Sequence, residues 1–220
     1  MIQSATLAFL KGLGKNNNKS WFDQHRPQYE EAKEDVIALV TNIIAEIGKF
    51  DPPIGALNPK DCLFRINRDV RFSKDKSPYK TRLAAYFNKG GKKSNGAGYY
   101  MHIEPGESIA AGGIWSPEPA DLNSIRQEID YNFADWKKMN AQSGFKKLFP
   151  EGVITEDSLT RAPKGFEEDN PAIRFIKMKN FFVARSFNDK DVMDRSYVKQ
   201  VAATFKAIKP LVDFINRAVD

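Results

Sequence analysis

Apolar residues recur along this chain in two rhythms, and the switch between them divides it into three stretches. The first stretch has helical spacing. After "GKNNNKSWF", whose asparagines suit a helix cap, a short helix is expected and then a longer one opening near Pro27. Tyr29, Val36, Leu39, Val40, Ile43, Ile44 and Ile47 give the longer helix one apolar face, and Gly48 is placed to end it. "FDPPIGALNP" then reads as a loop without periodicity.

The spacing next shifts to every second residue. Four strands are predicted, over Cys62–Ser73, Thr81–Lys89, Ala97–Glu104 and Ser108–Trp115. "EPGE" is a good hairpin turn between the last two, and the glycine-rich "KGGKKSNGAG" joins the middle pair. Helical spacing returns behind Pro119 with Leu122, Ile125 and Ile129, and again after Asn132 with Phe133 and Trp136. "DNPAIRFIKMK" marks a short helix, "NFFVARSF" a fifth strand, and Asn188 or Asp189 the cap of a brief helix. Tyr197, Val201, Phe205, Ile208, Val212 and Ile215 then define a long amphipathic helix, with a bend expected at Pro210. The expected fold is α+β: a mainly antiparallel sheet of about five strands, with helices from both chain ends packed on it. One domain is expected over 1–220, with N-terminal helices in 1–50, the sheet region in 60–116, and a helical region with one further strand in 117–220.

Alternation also assigns faces. Phe64, Ile66, Val70, Phe72, Leu83, Phe87, Met101, Ile103 and Trp115 are expected in one core. The opposite face would gather Arg65, Asp69, Arg71, Arg82, Tyr86, Tyr100, His102 and Glu104, beside the small Ser108, Ala110 and Gly112. Arg68 breaks the pattern by falling on the apolar side, where an unpaired guanidinium would be costly; a bulge or a buried carboxylate partner is expected there.

Charge changes the picture at one place. The chain carries a net +6, and Arg65–Lys80, "RINRDVRFSKDKSPYK", has six basic and two acidic residues, a net +4. In this stretch Lys74, Lys76 and Lys80 would fringe the polar face. Arginine forks and lysine point charges suit phosphate or carboxylate. No P-loop or dinucleotide fingerprint is present. The single cysteine, Cys62, precludes an internal disulfide and suits a reducing cytoplasm; it is expected to be buried and inert. Ala5–Leu10 is too short an apolar run, and meets Lys11, so neither signal peptide nor membrane span is expected.

The basic stretch matches R-x-x-R-D-x-R-F-x-x-[DN]-K-x-x-Y through Arg65, Arg68, Asp69, Arg71, Phe72, Asp75, Lys76 and Tyr79. With "NNNKSWF", "GYYMHIEPGES", "GGIW", "RAPKGFEEDNP" and "IKMKNFFVARSF", the chain resembles a widespread bacterial, and in part fungal, family of conserved proteins of unknown function. The resemblance implies size and fold but no activity.

Three readings of the motif follow. The leading one is a site for a small anionic, phosphorylated ligand, with or without catalysis, formed by Arg65, Arg68, Asp69, Arg71, Lys74, Asp75, Lys76, Tyr79, Lys80, Arg82, Tyr100, His102 and Glu104. The second is an internal Arg/Asp ion-pair lattice with a structural role. The third is a nucleic-acid surface, with Tyr79, Tyr86, Phe87, Tyr99 and Tyr100 as stacking residues. No cofactor is expected, although Asp69, Asp75, His102 and Glu104 have the chemistry to hold Mg²⁺ if brought together.

Overall fold

The computed structural model of the protein describes residues 1–92 and 94–219; Lys93, inside the glycine-rich connector, and Asp220 lie outside the described residues. The described elements begin with α1 (Ser4–Lys15), α2 (Lys19–Gln24), α3 (Arg26–Ile47), α4 (Pro52–Gly55) and α5 (Pro59–Cys62). Three strands follow, β1 (Leu83–Phe87), β2 (Gly98–Ile103) and β3 (Ser108–Ile114). Helices α6 (Pro119–Tyr131), α7 (Phe133–Ala141), α8 (Ser143–Leu148) and α9 (Ile173–Ile176) precede β4 (Phe181–Phe187). Helices α10 (Asp189–Met193) and α11 (Tyr197–Val219, with Pro210 inside it) complete the chain. The four strands form one antiparallel sheet in the order β1-β2-β3-β4.

The fold is thus α+β, with four strands among the described residues rather than five. The difference lies in Cys62–Ser73, which forms no strand. Residues 63–67 do run antiparallel to 79–85, through isolated bridges Leu63–Ala85 and Asn67–Tyr79 and the bonds Arg68 N–H to Pro78 O (2.9 Å) and Lys80 N–H to Ile66 O (2.8 Å). Pro78 has no N–H to return, so no regular ladder extends past it. Beyond Arg68 the chain is loop, and alternation there carries no facial meaning. Within the expected loop, "FDPPIGALNP", the prolines start the one-turn helices α4 and α5 instead. Helix α1 lies ahead of the first helix expected and buries Leu7, Phe9, Leu10 and Leu13.

The chain divides into two compact units. The first comprises Met1–Lys92, Tyr100–Ala110 and Ser186–Ala203. Helix α1 packs on α3, whose Val36, Leu39, Val40, Ile43, Ile44 and Ile47 are buried as the spacing predicts. Asn18 caps α2 by accepting the Trp21 N–H, and this places Phe22 against the ring of Tyr79, centroids 4.1 Å apart and nearly parallel. Asn17 fixes the same tyrosine's backbone, donating to Tyr79 O (2.9 Å) and accepting from Tyr79 N–H (3.1 Å). The asparagine run therefore does two jobs: one residue caps a helix, the next takes the place of a missing strand neighbour.

The second unit comprises Lys93–Tyr99, Ala111–Arg185 and Thr204–Asp220. Trp136 is its centre, fully buried and meeting Phe175, Phe181 and Phe214 edge-on. Phe205 and Ile208 of α11 approach Tyr99 and Gly112, so these two residues share the helix-covered face. This reverses the expected facing of β3. Its glycine sits under the helix while Trp115, just past the strand, is 52% exposed on Phe182. Shifting parity by one residue moves every side chain to the other face. Of the nine expected core residues, Ile66, Leu83, Phe87, Met101 and Ile103 are buried; Val70 is half-buried, and Phe64, Phe72 and Trp115 are exposed.

Candidate functional site

The sequence-predicted residues separate into three groups, all within the first unit. The first group closes the motif loop. Arg68 ion-pairs with Asp75 and also donates to Ser77 O (3.1 Å) and Ser73 Oγ (3.4 Å). The Ser77 hydroxyl and N–H, and then Arg68, hold the Asp75 carboxyl down to about 2. Its side chain is 61% exposed, so the expected buried carboxylate is instead a solvated one clamping a turn. Lys76 Nζ reaches back to Val70 O (3.0 Å). Arg71 forms a two-bond fork on Asp69 (3.0 and 2.7 Å), which lowers the Asp69 pKa. Tyr79 is 7% exposed and stacked on Phe22, so it anchors the loop and offers no ligand face.

The second group is a satisfied network on β2. His102 Nε2 donates to Glu107 O (2.7 Å), which leaves Nδ1 to accept from the Tyr100 hydroxyl (3.1 Å). Burial pushes the His102 pKa down and the Tyr100 pKa up. Glu104 accepts from Thr81 and faces Arg82 at 3.4 Å and His102 at 3.8 Å. A histidine with both nitrogens engaged this way is poorly placed to act as a general base. The Mg²⁺ grouping is not assembled: Asp69 and Asp75 are taken by Arg71 and Arg68, and no cluster of three or more metal-ligating side chains exists among the described residues.

The third group is cationic and under-compensated. Arg65 and Lys74 make no side-chain hydrogen bond or ion pair among the described residues, and both are exposed. Lys80 donates to Arg65 O (2.8 Å) and lies 5.6 Å from the centre of the Phe64 ring. Lys92 donates to Leu63 O and lies 5.9 Å from the same ring. Phe64 is 37% exposed, with the Tyr100 ring tilted against it, centroids 6.3 Å apart. Partial burial lowers the Lys80 pKa, and the positive charges of Arg65 and Arg82 lower it further. Two lysines on one half-open aromatic ring, with Arg65 and Arg82 acting on Lys80, form a local positive centre. The carboxylates that partly offset it are Glu104, shared among Arg82, Thr81 and His102, and Asp69, which Arg71 holds and Arg65 also attracts. Alternation places Phe64 in the core, so sequence reasoning misses its role; Lys92 falls in the glycine-rich connector, where no strand register points to it.

In the second unit a shallow cleft of ≈ 280 Å³ is lined by Trp136, Val153 and Phe175 below, with Lys137, Lys146 and Arg174 at the rim. It is slightly smaller than small-molecule sites usually are. Lys137 and Arg174 lie over Phe133 and Phe175. Elsewhere, Cys62 is buried as expected, with burial pushing its thiol up to about 11. No described helix is long and apolar enough to cross a membrane.

Fold and site together define a class: an α+β protein with a basic, aromatic-studded hairpin loop beside its sheet. The chain belongs to the DUF2461 family of conserved hypothetical proteins, whose family model matches residues 5–214. No curated protein and no solved structure matches the chain.

Proposed function

We propose that this protein binds a small anionic ligand bearing phosphate at the centre formed by Phe64, Arg65, Lys80, Arg82 and Lys92. The observation that carries this reading is geometric: the Lys80 and Lys92 ammonium groups lie 5.6 and 5.9 Å from the centre of one half-open ring, and the charges of Arg65 and Arg82 add to burial in lowering the Lys80 pKa. Like charges held together cost stability unless an anion offsets them. The remaining motif arginines are occupied, Arg68 by Asp75 and Arg71 by Asp69, and serve to shape the loop. The structural reading thus accounts for part of the motif and the ligand reading for the rest. Binding alone is proposed; the engaged nitrogens of His102 favour no chemical step.

The test is thermal unfolding with inorganic pyrophosphate, against sodium chloride at matched ionic strength. A ligand at a hundredfold excess over Kd raises Tm by roughly 5–10 °C in a chain of this size. Arg65→Met and Lys80→Met should each remove most of the shift, whereas Arg71→Met should keep it. Equal shifts in all four proteins, or none in the wild type, would discard the site.

A further inference from the structure

Phe72 is 95% exposed, the least covered large apolar side chain of the described residues. Its place is not accidental in physical terms. The loop that presents it is closed at its base by Arg68 N–H to Pro78 O and by the Asn67–Tyr79 bridge. It is clamped across by the Arg68–Asp75 pair and tied near its tip by Lys76 Nζ to Val70 O. Tyr79, at the foot, is held by Asn17 and Phe22. A loop so tied does not collapse its phenylalanine onto the protein. The Arg71 guanidinium lies over the ring, 5.7 Å from its centre, and is itself oriented by the fork on Asp69. Lys74 and Lys76, two and four residues further along the same loop, are exposed, as Arg71 is.

The surroundings discriminate between occupants. A protein partner's hot spot sits at the centre of a broad, well-packed patch from which lysine and carboxylates are depleted, even where arginine is present. Here Phe72 carries a guanidinium on its ring and sits in a loop with the exposed lysines Lys74 and Lys76. An amphipathic membrane anchor needs an extended apolar face, and a single ring among cations gives only weak attachment. Single-stranded nucleic acid needs what is present: a ring with one face free for a base, a guanidinium over the other, and cations on which the backbone can run. At the foot of the same loop, Phe64 repeats the arrangement with Lys80 and Lys92.

We infer that the Arg71–Phe72 tip is a base-stacking platform for single-stranded nucleic acid, whose phosphates run along the loop to the cationic centre at Phe64. This rests on the phosphate site proposed above and extends its ligand from a small anion to a polymer. Of the residues the sequence offered for stacking, Tyr79, Phe87 and Tyr99 are buried and Tyr86 and Tyr100 half-buried; Phe72 and Phe64 are the exposed rings beside cations.

The experiment is fluorescence anisotropy of a labelled 15-nucleotide oligo-dT and oligo-U, titrated with the full chain at fixed salt. Phe72→Ala removes a solvent-exposed ring, so the variant should fold with an unchanged Tm. Its affinity should fall roughly tenfold, the size of one base–aromatic stack, while Phe72→Trp restores or improves it. Heparin, which has charge but no bases, should bind wild type and Phe72→Ala alike. Loss of oligonucleotide affinity in Phe72→Ala, with the pyrophosphate shift retained, supports the platform independently of the smaller site. Unchanged affinity in Phe72→Ala would overturn it, leaving attraction by charge alone. Absence of oligonucleotide binding would also overturn it, as would phosphatidylserine vesicles capturing wild type but not Phe72→Ala with no oligonucleotide bound.

Discussion

At the scale of single residues, the family signature divides between fixing a loop and leaving charge free. Tyr79 shows the first role. Its ring lies on Phe22 and its backbone is bonded twice by Asn17, so two distant segments of sequence meet on one residue. Asn17→Ala strips the partners from an N–H and a carbonyl that are largely shielded from water. That should cost about 1–3 kcal/mol, read as a lower urea midpoint at unchanged slope. It should also weaken pyrophosphate binding by loosening the foot of the loop that carries Lys80. A loss no larger than that of an exposed control such as Asn95→Ala would contradict the anchoring role. Phe72 shows the limit of reading residues by pattern. Hydrophobicity and alternation both place it in a core, yet it is solvated, because the alternation belongs to a loop and the deciding contacts are made by Arg68 and Pro78. Truncating it should therefore leave stability unaltered, against the ~3–5 kcal/mol a buried phenylalanine would cost.

At the scale of elements, periodicity was informative wherever an element is long or a cap is unambiguous. Helix α3, the capping box of Asn188 and Asp191 on α10, and all four described strands lie within a few residues of their expected bounds. Helices of fewer than two turns are too short to show a period, and α4, α5 and α8 are invisible to it. Facing is harder than existence. In β3 the residues Ala110 to Gly113 are all small, so hydrophobicity cannot say which parity faces the core; Ile208 on Gly112 decides it. Arg126 also carries no signal in the sequence pattern: it lies buried on α6 with no carboxylate partner among the described residues. It donates to Ile176 O (2.7 Å) and Met178 O (3.2 Å), satisfying carbonyls at the end of α9. The tightest constraint on the sheet is Gly113, whose φ of +126° suits only glycine and whose added Cβ would strike the Phe181 carbonyl of β4. Gly113→Ala should thus destabilise by at least about 2–3 kcal/mol, seen in thermal melts. Gly144→Ala, where an added Cβ meets nothing, is the matched control and should be neutral or slightly stabilising.

At the scale of the whole molecule, the net charge of +6 is not spread evenly, and its titration should reveal how the paired groups are used. Two sets of groups act on the acid side. His102 is buried and its pKa lies below the ordinary 6.5, so between that value and its folded pKa the unfolded chain binds the proton and the folded chain does not. Stability should therefore begin to fall as pH drops below about 6.5, well before any carboxylate titrates. The carboxylates act later. Asp75 at about 2, and Asp69, Asp157, Glu168 and Asp189, all lowered by bonded donors, contribute stability that is complete above their unfolded values. That contribution disappears as pH falls through their folded ones. Two separate declines are expected in urea midpoints measured from pH 7.5 to 3. His102→Gln, whose amide can still donate to Glu107 O but takes up no proton, should flatten the first decline and leave the second. Asp75→Asn should leave the first decline and lessen the second by its own share, the other lowered carboxylates keeping theirs. A His102→Gln profile that keeps the decline between pH 6.5 and 5 would assign it to another group and undo the account of the β2 network.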